Sequence, residues 1–292
     1  MILLTGATGT VGSALLPRLT ARGEAVRVLV RTPRKLGDQR VRVQIALGDL
    51  ADPRSFRHAL RGVDTVIHLA ASIRDQPSGS IEELNGMATW RLVRAAERAR
   101  VRRFYFFSAL GASSLHAARF FRAKALAERA IRESSVPYTI FAPSIVYAPG
   151  DPWLTLLERM SLLPVMPLAG AGRALFQPIW AQDAASSLLA ALDHEGDLPD
   201  RVELAGPDTL SHEAIVALAL RSFGRRRPLV PVPQRVVSRA LDAVELVAGP
   251  TTFATSDEAE LMDVSMTSAR GTADAEALGV TPRPMASVLG AV

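Results

Sequence analysis

Along the first half of the chain, short apolar runs alternate with stretches in which apolar residues recur every three to four positions. That alternation predicts strands joined by helices. The first run is Ile2 to Leu4, followed by a helical pattern carried by Val11, Leu15, Leu16 and Leu19. Further strands are predicted at Ala25 to Val30, Val41 to Leu47, Thr65 to Leu69, Phe104 to Phe107 and Tyr138 to Ala142. Between them the pattern predicts helices from Pro53 to Leu60, Ile81 to Arg100 and Ala117 to Glu133. Asp52 stands where an N-cap is wanted and Pro53 at the first helical position. Six strands with helical crossovers predict an α/β fold, a Rossmann-type doubly wound parallel sheet. Its ligand should lie across the carboxyl ends of the strands.

After Pro149-Gly150 the pattern changes. A helix is predicted near Trp153 to Met160, then a Pro- and Gly-rich loop from Pro164 to Gly172 and a return strand from Phe176 to Trp180. Asp183 is expected to cap a helix running to Leu192, followed by a strand at Val202 to Leu204 and a helix at Ser211 to Phe223. The last seventy residues read as loosely patterned helix. The expected division is a dinucleotide-binding domain over 1–150 and a smaller, mostly helical C-terminal lobe over 151–292 that lids the first and shapes a substrate cleft.

Composition narrows the classes. The 292 residues are 48% hydrophobic, enough for a sizeable core, and contain no cysteine. Disulfides, cysteine metal sites and thiol catalysis are therefore excluded. The five histidines are scattered without helical metal spacing, so no metal site is expected. The net charge is +5, but the arginines are spread along the chain. The one tight run, Arg225-Arg226-Arg227, lacks interleaved aromatics and reads as a solvated loop, so no nucleic-acid partner is expected. The longest uncharged apolar stretch, Met160 to Gly172, is too short to span a bilayer and holds two prolines. With a strand beginning at residue 2, the expectation is a soluble, cytoplasmic protein without a targeting peptide. Of the 34 basic residues only Lys35 and Lys124 are lysines, which draws attention to Lys124.

The sharpest chemical signal is Gly6, Gly9 and Gly12 between the first strand and first helix. Gly6 permits the tight turn, Gly9 lets the backbone approach a pyrophosphate, and Gly12 lets helix and strand pack closely. The new helix N-terminus then faces the phosphates. At the tip of the second strand, where an NAD site keeps a carboxylate, stands Arg31, with Arg34 and Lys35 behind it. A guanidinium there suits a 2′-phosphate, so NADP(H) is preferred and NAD(H) is the alternative.

Thr5-Gly6-Ala7-Thr8-Gly9-Thr10-Val11-Gly12, Gly48-Asp49-Leu50 and His68-Leu69-Ala70-Ala71 resemble the short-chain dehydrogenase/reductase superfamily in its extended and atypical branches. Lys124-Ala-Leu-Ala-Glu128, Pro143 to Tyr147 and Gln177-Pro178-Ile179-Trp180 with Asp183 resemble one atypical group, which includes the nucleotide-binding accessory subunit of respiratory complex I. The resemblance implies that Gly6, Thr8, Gly9, Thr10, Val11 and Gly12 hold the pyrophosphate. Arg31 and Arg34 would meet the adenosine ribose phosphate, and Asp49 and Leu50 would flank the adenine. Leu69, Ala70 and Ala71 would line the ribose and phosphate path. Ser108 and Lys124 would lie by the nicotinamide, with Pro143, Ile145 and Val146 on its carboxamide side. Active members carry a general acid/base tyrosine four residues before the lysine; here that position is Phe120. Lys124, Ser108 and Tyr147 remain as candidate catalytic groups, with Tyr147 read either as a substitute acid or as a packing residue.

Two functions compete on this reading. One is an NADP(H)-binding protein with little standard dehydrogenase activity, serving in sensing or in stabilising a complex. The other is an oxidoreductase or epimerase of non-standard mechanism acting on a small, fairly apolar substrate. A membrane-surface or respiratory-complex accessory role, suggested by the resemblance and the basic charge, is a third expectation and coexists with the first.

Overall fold

The computed structural model describes residues 1–233, 235–237, 239 and 255–290. The early part of the chain forms β1 (Ile2–Thr5), α1 (Thr10–Ala21), β2 (Val26–Val30), β3 (Gln44–Leu47), α2 (Pro53–Phe56) and β4 (Thr65–His68). It continues with α3 (Ala88–Arg98), β5 (Arg103–Phe107), α4 (Arg119–Arg132) and β6 (Tyr138–Pro143). The later part contributes β7 (Val146–Tyr147), α5 (Pro152–Met160), β8 (Met166–Ala169), β9 (Leu175–Phe176) and β10 (Ile179–Trp180). Then come α6 (Ala181–Asp193), β11 (Arg201–Leu204), β12 (Leu210–Ser211), α7 (His212–Ser222) and β13 (Leu229–Val232). Short helices follow at Ser256–Leu261, Ala273–Ala277 and Met285–Leu289.

Seven strands pair in the order β11-β6-β5-β4-β1-β2-β3, all parallel. The central strands are buried on both faces, which is why they read as continuous apolar runs rather than alternating ones. One face packs Leu4, Leu15, Leu19, Val28 and Phe141 with Ala184 and Leu188 of α6. The other packs Leu3, Val66, Phe104 and Phe106 against Leu92 and Ile131 of α3 and α4. A third core, around Phe121, Tyr147, Met166, Phe176 and Ile215, fills the lobe.

The first six strands stand where the apolar runs place them, with shifts of one to three residues at their ends. The segment before β3 shortens that strand: Pro33–Val41 is wound into 3-10 turns kinked at Gly37, and Val41 is exposed. Asp52 is the N-cap of α2, accepting from Arg54 N at 2.9 Å. The helix from Ile81 contains a π-helical turn, Glu83–Met87, ahead of α3. The return strand is two short strands, β9 and β10, separated by Gln177-Pro178. Asp183 is not the cap of α6: Trp180 holds that position, and the Asp183 carboxylate accepts from Arg283 N at 2.8 Å, fastening a distant segment.

A division at residue 150 leaves part of the sheet layer on its far side. α6 packs against α1, and β11 pairs with β6 to complete the sheet. The last seventy residues, expected to be loosely patterned helix, include strand β13, which pairs with β8, and in their described part only short helices; residues 240–254 of that stretch lie outside the described residues. Among the described residues no helix is long and apolar enough to cross a membrane. Arg225 and Arg227 are not merely solvated. Arg225 Nη1 donates to the Glu158 carbonyl at 2.9 Å, and Arg227 Nε donates to those of Ser161 and Leu163 at 3.0 and 2.9 Å. These cations meet the negative end of α5.

Candidate functional site

The sheet order reverses between β1 and β4, so their carboxyl ends frame a crevice, with Thr5 beside His68 in register. The glycine turn occupies it. Gly6 has φ +75°, and a Cβ there would lie 2.5 Å from Ala70 N, so the turn packs directly on the segment leaving β4. A Cβ on Gly12 would collide with the Gly6 carbonyl and stand 2.7 Å from Ala7 Cα. Gly9 is different: a Cβ there would meet only Gly6 O, at 3.3 Å, and the residue is exposed. Gly9 is also the N-cap of α1, with no side chain capping it and no acidic residue in the first turn. An open glycine at the positive end of an uncapped helix is the form a pyrophosphate cradle takes. Thr8 is exposed and Thr10 and Val11 half-buried along the same turn.

The adenosine end is polar. Arg31, exposed just past β2, lies 3.7 Å from Asp49 Oδ2 and donates to Ser78 Oγ at 3.4 Å. Asp49 is itself held by its turn, Oδ1 accepting from Ala51 N at 3.0 Å, while Leu50 packs on the core. Arg34 is exposed nearby in sequence. Leu69 and Ala70 are half-buried against Gly6, and Ala71 is exposed. Across the crevice, Pro143 is buried, and Ile145 and Val146 pack on the lobe and sheet cores respectively.

A buried polar chain supports this floor. His68 bonds Thr5 Oγ1 through Nδ1 at 2.6 Å and Thr89 Oγ1 through Nε2 at 2.9 Å. Thr89 spends its own proton on the Asn85 carbonyl at 2.5 Å, so His68 must donate from Nε2 and accept at Nδ1. Burial, reinforced by Lys124, holds the His68 pKa down at about 3, so the ring is a neutral structural link. Asn85 sits in the π-helical turn. Its amide donates to the Ser72 and Ile81 carbonyls at 2.7 and 2.8 Å and accepts from Ser72 N at 3.1 Å, which shapes the loop leaving β4.

At the nicotinamide end, Lys124 is buried, with Nζ donating to the Phe107 carbonyl at 2.7 Å and lying 4.8 Å from the Phe106 ring centroid and 5.6 Å from that of Phe120. Burial lowers its pKa to about 7, against the upward pull of Glu128. Phe120, one turn earlier on α4, is half-buried and meets the Phe121 ring edge-on. Ser108 is placed otherwise than expected, and Tyr147 takes the packing role of its two readings. The Ser108 hydroxyl donates to the buried Glu128 carboxylate, which also takes Arg201 at 2.8 Å and Arg132 at 2.6 Å, so it is not free for a substrate. Tyr147 is fully buried in the lobe core and its hydroxyl has no hydrogen-bond partner among the described residues. Burial raises its pKa, so the phenol stays protonated and packs the lobe rather than facing the cleft.

Sequence reasoning overlooked Asn85 and Arg119 and quoted Glu128 in a motif without giving it a role. Arg119 joins Glu82 at 2.8 Å, Asp75 at 3.0 Å and Asp257 at 3.4 Å, and Arg74 joins Glu258 at 2.6 Å. The helix Ser256–Leu261 is thereby tied beside the start of α4. A carboxylate one turn after Lys124 was visible as spacing, but two of its three partners, Ser108 and Arg201, come from other elements, and only Arg132 lies on α4 with it.

Comparison with known proteins agrees with this geometry. A family model described as NAD(P)H-binding matches residues 6–152, half the chain. The chain is 32% identical over 222 residues to the mitochondrial NADH dehydrogenase [ubiquinone] 1 alpha subcomplex subunit 9 of Arabidopsis thaliana, covering 71% of this chain and 54% of that protein. It thus spans about half the length of that relative. It is 30% identical over 231 residues to a (4-alkanoyl-5-oxo-2,5-dihydrofuran-3-yl)methyl phosphate reductase of Streptomyces griseus, covering 77% of this chain and 74% of that protein. A nucleoside-diphosphate-sugar epimerase structure from Staphylococcus aureus superposes with a TM-score of 0.76 at 20% identity, covering 99% of both chains, which is a likeness of fold. The crevice, its glycine turn and these matches lead to one assignment: the chain belongs to the NAD(P)H-binding Rossmann family.

Proposed function

We propose that this protein binds NADP(H) and serves as a cofactor-holding or cofactor-sensing protein with little tyrosine-dependent dehydrogenase turnover. The observation that carries this reading is Phe120. It presents a phenyl ring to Lys124 where the resemblance calls for an ionisable hydroxyl, in a chain whose glycine cradle is open at Gly9. The two other hydroxyls proposed from sequence are unsuited to replace it, Ser108 being bonded to Glu128 and Tyr147 buried in the lobe. When bound, the dinucleotide supplies a hydride donor or acceptor. The chain's own residues hold its phosphates at Gly9 to Gly12 and its ribose near Lys124, without a proton donor of the usual kind.

Arg31 supports NADP(H) over NAD(H). Its long, exposed approach to Asp49 is a weak pair, so the guanidinium can turn to a 2′-phosphate, where a charge-assisted fork is stronger. The test is calorimetric titration with NADPH and NADH, joined to turnover on a panel of carbonyl compounds. The expected result is NADPH binding that weakens by roughly 10- to 100-fold in Arg31→Ala, little turnover in the native chain, and a gain of roughly 100-fold or more in Phe120→Tyr. Robust native turnover that Lys124→Ala abolishes would overturn the reading.

Several relatives are named reductases, among them the Streptomyces enzyme and an NAD(P)H azoreductase of Xenophilus azovorans. They favour a second reading, an oxidoreductase of non-standard mechanism on a small, fairly apolar substrate. Similarity to the complex I subunit supports a further role in association with a respiratory complex. Co-purification of such a complex with the tagged chain tests that role, and a chain that captures none argues against it.

A further inference from the structure

The turn between α5 and β8 places aliphatic side chains in solvent. Leu162 is 68% exposed, Leu163 49% and Val165 41%. Val230 of β13 is exposed as well, and β13 runs alongside β8 with Val230 opposite Pro167, so it stands at the same tip of the lobe. Single exposed aliphatics are ordinary, but a contiguous group marks an interaction surface. The tip is also cationic. Residues 221–239 hold six arginines and no acidic residue, and Glu158 is the single acid from 152 to 169. Arg225 and Arg227 turn inward onto the carbonyls of the α5 turn, which brings the arginine run against Leu162 and Leu163. Arg159 and Arg226 point outward, exposed, and neither forms an ion pair among the described residues.

We infer that this tip docks on an anionic lipid surface. Leu162, Leu163 and Val165 enter the boundary between headgroups and acyl chains, and Arg159 and Arg226 meet lipid phosphates. The charge selects an anionic partner. The absence of aromatic side chains from the exposed group separates it from a nucleic-acid stacking platform. The inference does not depend on the chemistry performed at the dinucleotide crevice, which is built from other elements.

The test is flotation of the full chain with phosphatidylcholine vesicles, with and without about 30 mol % phosphatidylglycerol, at low salt and at about 0.5 M NaCl. The expected result is at least fivefold more protein, as an order-of-magnitude figure, on anionic than on neutral vesicles, with most of it released by salt. Leu162→Ser combined with Leu163→Ser should remove binding, and Arg159→Glu combined with Arg226→Glu should remove the preference for anionic lipid. All four side chains are exposed, so unchanged melting and NADPH binding would show that the variants stay folded. Four outcomes overturn the inference. They are no flotation at low salt, equal recovery on neutral vesicles, flotation unaffected by the double serine variant, and a DNA duplex or a second copy of the chain occupying the tip in place of vesicles.

Discussion

Gly9 and Gly12 are three residues apart and answer to different constraints. A methyl group at Gly12 would strike the Gly6 carbonyl and the Ala7 backbone, whereas one at Gly9 would meet only Gly6 O at 3.3 Å. Gly12→Ala should destabilise the fold by about 1–3 kcal/mol, the range for overpacking a rigid contact. Gly9→Ala should melt normally and bind the dinucleotide roughly tenfold more weakly, about 1.4 kcal/mol. Thermal unfolding and NADPH titration of the two variants separate these effects, and equal melting points would contradict the assignment. Lys124 carries a second residue-scale consequence. Its pKa falls from 10.5 to about 7 on folding. Between those values the unfolded chain binds the extra proton, so stability rises with pH from about 7 toward 10.5. Lys124→Met should flatten that rise in urea unfolding followed near pH 7 and near pH 10; an unchanged slope would mean that the amine stays charged in the fold.

At the scale of elements, the π-helical turn Glu83–Met87 presents Asn85 to the loop leaving β4. Asn85→Ala removes three hydrogen bonds and leaves Ser72 backbone groups without their partner. At about 1 kcal/mol each the loss should be roughly 2–3 kcal/mol in chemical denaturation, with weaker NADPH binding because the floor beside Ala70 loosens. A loss below half a kcal/mol would show that solvent replaces the amide. This turn was not legible in the sequence, because its helix reads as one apolar-periodic stretch from Ile81 and a single inserted residue leaves that period nearly intact. The strands β1 to β6 were legible because each is a short apolar run between turn signals. The glycine turn was legible because its chemistry is local. The roles of Tyr147 and Ser108 were not legible for the opposite reason: both stand in suggestive motifs, which left Tyr147 between two readings, and what decides their roles is the lobe core around one and the carboxylate of Glu128 beside the other.

For the whole molecule, the sheet is finished by residues far along the chain. Ala184, Leu188, Val202 and Leu204 complete the core over α1 and β6, so a fragment of residues 1–150 exposes that face and the edge of β6. Such a fragment should show no cooperative melt and should bind a hydrophobic dye, while the full chain melts cooperatively; a cooperative fragment would mean that the first six strands suffice. At the other end of the sheet, among the described residues, β3 pairs with β2 alone and leaves its outer rim unpaired, with Ile45 and Leu47 exposed. Charged side chains, prolines and bulges are the usual guards of such a rim, and Gln-Ile-Ala-Leu supplies none of them within the strand. When the protein is concentrated or held near its melting temperature, β3 is therefore the strand on which one chain would template the next, and association there would proceed by intermolecular ladder growth rather than by loss of the dinucleotide crevice.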